Sequence, residues 1–289
     1  MTGRVIYSSG GNYKVLLKGK TFFCKPLGKF RNKNIKILVG DIVDIEVNEE
    51  KEGLEELNVI TNLHERKNKF IRPNISNVDF AILVTSITQP KLNDYYLDKL
   101  ITIFQSRDIE PILIFTKKDL KFTEDIQNII NEYKEQDYKV LITSTEISKE
   151  EKETLHSWLK NKFSVITGQT GVGKSTLLNN IRKDLKLETG EISTALNRGK
   201  HTTRHSEAFE IFEDSYIVDT PGFSLLEIND LDKELIYWNF FSFEKYADKC
   251  KFNNCSHIKE KSCEVKKQNF SKRTIKNYKK LLLEVKNDR

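Results

Sequence analysis

The sequence predicts an α/β domain with a mostly parallel sheet, preceded by a small antiparallel barrel and followed by a short helical segment. Three patterns predict it. Near the N-terminus, Val43, Ile45 and Val47 alternate with acidic residues, the two-residue period of a strand with one buried face. From Asn77 onward, continuous apolar runs alternate with stretches of helical period, the signature of a sheet covered by helices on both sides. Beyond Leu226 the strand pattern ends and only helical spacing is left.

The barrel strands are expected at Arg4–Ser8, Tyr13–Leu17, Lys20–Lys25 and Asp41–Val47, broken by Gly10-Gly11, Gly19, Pro26 and Gly40. The charged stretch Arg66–Pro73 marks a boundary. In the α/β part, buried strands are expected at Val78–Thr85, Ile112–Thr116, Lys139–Thr143 and Phe163–Thr167. Between them, Leu97, Leu100, Ile101 and Phe104, then Ile126, Ile129, Ile130 and Tyr133, recur at helical spacing. Leu231, Leu235 and Trp238 predict one further helix, and Ile275, Tyr278, Leu282 and Val285 another.

Hydrophobic residues make up 38% and charged residues 31% of the 289 residues, a soluble composition. No apolar run approaches the roughly 18 residues of a membrane span, and Met1–Val15 carries no signal-peptide pattern, so a cytoplasmic protein is expected; a monomer is a separate expectation. The net charge of +6 is concentrated: Lys245–Arg289 holds 14 Lys/Arg against 5 Asp/Glu, which points to an acidic partner.

Gly168-Gln169-Thr170-Gly171-Val172-Gly173-Lys174-Ser175 matches G-x-x-x-x-G-K-[ST]. It stands between the apolar run Phe163–Thr167 and a helical stretch with Leu177, Leu178 and Ile181, the strand–loop–helix order that the motif requires. Its glycines let backbone N–H groups wrap phosphate oxygens, and the helix N-terminus adds partial positive charge. Lys174 would reach the β- and γ-phosphates, and Ser175, followed by Thr176, would ligate Mg²⁺.

Thr116-Lys117-Lys118-Asp119 selects the base. Asp119 would accept hydrogen bonds from the N1–H and 2-amino group of guanine, whereas adenine offers an acceptor at N1 and no 2-amino donor. The stem of Lys117 would cover the base, and a backbone N–H of Thr143-Ser144-Thr145 would meet guanine O6. Asp219-Thr220-Pro221-Gly222 follows the apolar pair Ile217 and Val218. Its aspartate would hold Mg²⁺ through a water, and the Gly222 N–H would sense the γ-phosphate. In Arg198–Arg204, Thr203, with Thr202 as second candidate, would close over Mg²⁺ when the γ-phosphate is present.

The order is cyclically shifted. In a conventional GTPase the phosphate loop comes first and the base-reading motifs last; here the base-reading motifs precede it. All the loops would still emerge at the same strand ends of one sheet. A second cluster, Cys250-x₄-Cys255-x-His257-x₅-Cys263, supplies three thiolates and an imidazole, a closed tetrahedral set for one structural Zn²⁺.

This combination resembles the circularly permuted, ribosome small-subunit-dependent GTPase family of bacteria (RsgA/YjeQ). The resemblance rests on Val39-Gly40-Asp41, Gly168–Thr176, Gly199-Lys200-His201-Thr202-Thr203, Asp219–Gly222 and the Cys/His cluster, and it covers nearly the whole chain. It implies an OB-like, RNA-binding barrel (1–66), a permuted P-loop GTPase domain (67–226) and a helical zinc-binding domain (227–289). It also implies GTP hydrolysis in late maturation of the small (30S) ribosomal subunit, stimulated by that subunit, with nucleotide state controlling binding. The subunit, its rRNA and GTP/GDP are the implied partners.

Phe223 stands where many GTPases place a water-orienting glutamine and cannot do that work. The resemblance and the position beside Thr203 both nominate His201 to orient the attacking water, with His205 in reserve. Thr116 replaces a common asparagine, a change expected to loosen the base-reading loop. Tyr7, Tyr13, Phe22, Lys25, Phe30, Arg31 and Lys33 on the barrel, and Lys266, Lys267, Lys272, Arg273, Lys276, Lys279 and Lys280 near the end, suit RNA. Rival readings are a P-loop ATPase or small-molecule kinase, opposed by Asp119, and a nucleotide-dependent RNA-binding module without significant turnover, opposed by Lys174, Ser175 and Asp219.

Overall fold

The computed structural model describes residues 1–47, 58–70, 73–182, 206–219, 231 and 233–286. The chain divides into two compact units, each built from two stretches: Met1–Ile82 with Thr145–Ser224, and Leu83–Ser144 with Leu225–Arg289.

The first unit begins with β1 (Thr2–Ser9), β2 (Asn12–Leu17), β3 (Lys20–Pro26), β4 (Ile42–Glu46) and β5 (Asn58–Leu63). Neighbouring strands run in the order β1-β2-β3-β5-β4, and β4 returns to β1 to close the barrel. Only β3 and β5 pair in parallel, so the topology is that of an OB-like barrel. Alternation puts Val5, Tyr13, Val15, Cys24, Val43, Ile45 and Ile60 inside. A helix that the sequence pattern does not reveal, α1 (Gly28–Asn32), adds Phe30 to that core. Tyr13 and Phe30 are therefore buried packing residues, which corrects their assignment to an RNA-facing surface.

The Val39-Gly40-Asp41 signature has a packing cause. Gly40 adopts φ 97°, and a Cβ there would stand 1.9 Å from the Ser76 carbonyl oxygen, so no other residue fits without displacing backbone. Asp41 is fully buried and accepts from the Arg66 guanidinium at 2.7 and 2.8 Å, from Ser76 Oγ at 2.5 Å and from the Leu38 N–H at 2.7 Å. These bonds seat the barrel on the short pair β6 (Lys69–Phe70) and β7 (Ile75–Ser76) at the predicted boundary.

The strand β8 (Phe80–Ser86) contains the division between the units. In the second unit, β9 (Glu110–Thr116) and β10 (Lys139–Ile142) pair in parallel. They alternate with α2 (Asp94–Gln105) and α3 (Glu124–Glu135), which bury the residues their periodicity predicts, Leu97, Leu100, Ile101, Phe104, Ile130 and Tyr133. In the first unit, α4 (Lys149–Leu159) opens on a Ser148/Glu151 capping box. Then come β11 (Phe163–Thr167), α5 (Lys174–Ile181), β12 (Ser206–Phe212) and β13 (Ser215–Asp219). β11 lies parallel to β13, β12 is antiparallel to β13, and β12 also pairs with β1.

Among the described residues, the second stretch of the second unit holds helices at Lys233–Asn239 and Lys272–Lys286, as expected, with short turns of helix and irregular chain between them. Arg273 does not face solvent. It reaches Asp98 at 2.8 Å, Asp94 at 3.3 Å and Glu132 at 3.0 Å, with only 16% of its side chain exposed, so it is withdrawn from the phosphate-contacting set. Asn277 and Tyr133 complete the shell around the fully buried Asp98, at 2.7 and 2.6 Å. Burial pushes the Asp98 carboxyl up to about 6 against the pull of Arg273.

An uncompensated buried charge costs more than the pair returns, so Arg273→Met should destabilise the protein by about 3–5 kcal/mol in denaturant titration at pH 8. Below pH 5 the loss should shrink, because Asp98 then takes up a proton and the orphaned charge disappears. A pH-independent loss would show that Asp98 is not the group left behind.

Candidate functional site

The phosphate-type loop lies in the first unit. Its five-residue strand, β11, is buried throughout and delivers the chain to Gly168. The backbone then turns through left-handed conformations at Gly171 (φ 78°) and Gly173 (φ 98°), and Gly173 is the N-cap of α5. A side chain would be strained at either position. Val172 is buried between them and pins the loop. Thr170 is exposed and Gln169 and Thr176 half-buried, while Ser175 is buried in the first turn of α5. Lys174 Nζ donates to the carbonyls of Gly168 and Gln169 at 2.7 and 2.8 Å, so its ammonium is held over the loop. Backbone amides, a helix N-terminus and one cation thus share the surroundings that an oligophosphate needs.

Asp219 ends β13 at the same strand end, with its backbone paired to Ile166, two residues before Gly168. Thr202, Thr203, His201, His205 and Gly222 lie outside the described residues.

The base-reading candidates lie in the second unit. Thr116 ends β9, is buried, and donates through Oγ1 to the Thr85 carbonyl at 3.2 Å. Its own carbonyl accepts from Ile87 N–H at 3.1 Å. Threonine is therefore tied to β8 at this strand end. Lys117 has φ 64° and donates to the Gln89 carbonyl, and the Lys118 N–H meets the Thr143 carbonyl at 3.1 Å. Asp119 is left exposed beyond this braced turn. Ser144 follows Thr143 at the end of the second unit's first stretch, and Thr145 opens the second stretch of the first unit.

Among the described residues, Cys250, Cys255, His257 and Cys263 bring their ligand atoms within 4.8 Å of one another. The Sγ atoms of Cys250 and Cys263 lie 3.6 and 3.3 Å from His257 Nδ1. The other ring nitrogen, Nε2, lies 3.0 Å from the Tyr237 carbonyl, which fixes a tautomer with Nδ1 free to ligate. Burial lowers the affinity of His257 for a proton, keeping the imidazole neutral. Burial raises the thiols of Cys255 and Cys263, so packed together without a cation they hold their protons. Three thiols, a correctly oriented imidazole and a supporting carbonyl fit a resident metal. Tyr278, whose hydroxyl donates to the Ser256 carbonyl at 2.6 Å, ties this knuckle to the Lys272–Lys286 helix.

A family model described as RsgA GTPase matches residues 63–229, and one described as RsgA N-terminal domain matches residues 2–54. The chain belongs to the RsgA GTPase family. A relative from Staphylococcus haemolyticus, named small ribosomal subunit biogenesis GTPase RsgA, is 42% identical over 270 residues, covering 92% of this chain and 90% of its own. A like-named protein of Caldanaerobacter subterraneus is 40% identical over 263 residues, covering 91% and 87%. Among solved structures, the circularly permuted GTPase YloQ superposes with a TM-score of 0.80 at 30% identity, covering 100% of this chain and 96% of its own. YjeQ from Thermotoga maritima superposes with a TM-score of 0.78 at 30% identity, with both chains covered in full. The fold is that of a permuted P-loop GTPase with an N-terminal barrel, and the family's reaction is GTP hydrolysis.

One exposed barrel feature was not singled out from the sequence. Phe23 is 61% exposed, and Lys14 sits 4.8 Å from the Tyr7 ring and 5.9 Å from the Phe23 ring. Phe22, the residue named instead, faces inward against the barrel core. Strand alternation carries the distinction, but the run of two phenylalanines hides which one points out.

Because the metal must displace protons from the thiols, its retention should weaken as pH falls. Cys255→Ser should abolish stoichiometric metal content and lower the melting temperature. Unchanged metal content by elemental analysis would exclude the cluster as its site.

Proposed function

We propose that this chain, a GTPase by family, acts in biogenesis of the small ribosomal subunit by using GTP hydrolysis to control its stay on that subunit. The observation that carries the reading is the left-handed, glycine-bounded loop Gly168–Ser175 with Asp219 at the neighbouring strand end. In this reading Gly168–Thr176 binds the phosphates, Asp119 reads guanine, Lys117 covers it, Thr116 braces the turn, and Ser144-Thr145 meets O6. Ser175 and Thr203 would ligate Mg²⁺, Asp219 would hold it through water, and Gly222 would sense the γ-phosphate. Bound there, Mg²⁺ supplies charge neutralisation on the phosphate oxygens.

His201 is assigned to orient the attacking water, accepting a hydrogen bond through a neutral imidazole. The Cys250, Cys255, His257 and Cys263 set is assigned to a structural Zn²⁺, which three soft thiolates and an imidazole favour over harder cations. Sequence relatives named for small-subunit biogenesis support that subunit as partner. rRNA is the proposed contact for the Tyr7, Lys14 and Phe23 face and for the exposed Lys272, Lys276 and Lys279. We further assign residues 1–66, 67–226 and 227–289 as functional domains of a cytoplasmic monomer. Among the described residues no helix is long and apolar enough to cross a membrane.

The test is GTP turnover with and without purified small subunits. Subunits should raise kcat, and His201→Ala should keep GTP affinity while losing about a hundredfold or more of stimulated turnover, the usual worth of a positioned acid or base. Equal turnover with and without subunits would remove the subunit from the reading. Full single-turnover activity in His201→Ala would remove the histidine.

A further inference from the structure

We propose that Asn180 is a positioning residue for the base end of the nucleotide site, acting from the helix that holds the phosphate end. The inference rests on the guanine reading above and deepens it.

Asn180 lies on α5, one residue before the helix ends, six residues beyond Lys174. Asparagine is a poor helix-interior residue, because its short amide competes for nearby backbone groups. Here the competition is put to use. Nδ2 carries two hydrogens, and it lies 2.7 Å from the Thr145 carbonyl and 2.9 Å from the Thr176 carbonyl. The bond to Thr176, one helical turn back, fixes the amide's rotamer. The bond to Thr145 then holds the backbone of the O6-facing segment, 35 residues away in sequence. Both hydrogens of one amide are thereby committed, one to the phosphate-binding helix and one to the base-reading segment.

The geometry specifies the side chain narrowly. Two carbonyl oxygens require two donors on one atom, which an amide nitrogen provides and a carboxylate cannot. Aspartate would place lone pairs against both carbonyls at nearly constant volume. Thr145 is exposed and no strand hydrogen bond is assigned to it, so this side-chain bond is a substantial constraint on where its backbone sits. The ribose and phosphates do not depend on that position; the contact to O6 does.

Calorimetry with GDP, 6-thio-GDP and ADP tests this on the full chain. Sulfur at position 6 is a weaker acceptor than oxygen, so in the wild type 6-thio-GDP should bind more weakly than GDP. In Asn180→Asp, GDP affinity should fall about tenfold, the scale of one well-placed hydrogen bond, and the gap between GDP and 6-thio-GDP should close. ADP affinity should hold in Asn180→Ala, which removes the donors without adding charge near phosphate. The melting temperature without nucleotide checks that both variants fold, and Asn180→Ala alone suffices if the aspartate variant does not. A merely structural asparagine would weaken all three nucleotides alike, and that result would overturn the assignment. A wild type without preference for GDP over ADP would overturn the guanine reading, and this assignment with it. A wild type that prefers GDP beside variants that keep the full 6-thio penalty would overturn the assignment alone.

Discussion

The molecule is organised around a short stretch of backbone whose path requires glycine and whose two flanks are packed in place. Between Thr167 and Lys174 the chain leaves a buried strand and enters a helix through left-handed conformations at Gly171 and Gly173. Such a path suits a cradle of backbone amides for an anion, and both of its flanks are fixed. β11 fixes one flank, with every residue buried and β13 alongside in parallel. Leu177, Leu178 and Ile181 fix the other by burying one face of α5. The parallel pairing also sets the backbone position of Asp219, which ends β13 opposite Ile166 only in this register.

The permuted order becomes intelligible in these terms. What such a site needs is a set of strand ends, and a strand end does not record which segment of chain came before it. The proposed base-reading turn shares its unit with the Cys/His cluster, and the connection between them is polar and largely buried. The Lys272–Lys286 helix holds the knuckle through Tyr278 and holds α2 and α3 through Arg273 and Asn277. α3 begins a few residues after Asp119. A closely packed polar network of this kind transmits displacement poorly as bending and well as rigid movement.

Much of this was legible in the sequence. Strands buried on both faces announce themselves as apolar runs, and β11 was placed to the residue. The Cys/His spacing brought four ligands together as read. Other features were hidden for physical reasons. The strand β5 mixes Asn58, Thr61 and Asn62 with Val59, Ile60 and Leu63 in no regular alternation, so the two-residue period is lost. Arg273 looks like one more basic residue in a lysine-rich helix, and only Asp98, far away in sequence, reveals it as a buried partner. Phe22 and Phe23 are chemically identical, and their opposite fates follow from strand phase alone. Asn180 carried little signal of its own, being one of two adjacent asparagines in the last turn of a short helix.

The proposal on which the functional reading turns is that Asp119 reads the guanine base. Exchanging the carboxylate for an amide reverses the hydrogen-bonding demand at the purine 2-position, from a donor to an acceptor, and xanthine carries an acceptor there. Calorimetric titration of wild type and Asp119→Asn with GDP and XDP measures this directly. The account predicts that GDP affinity falls and XDP affinity rises in the variant. Equal losses for both nucleotides, or no change in either, would contradict it.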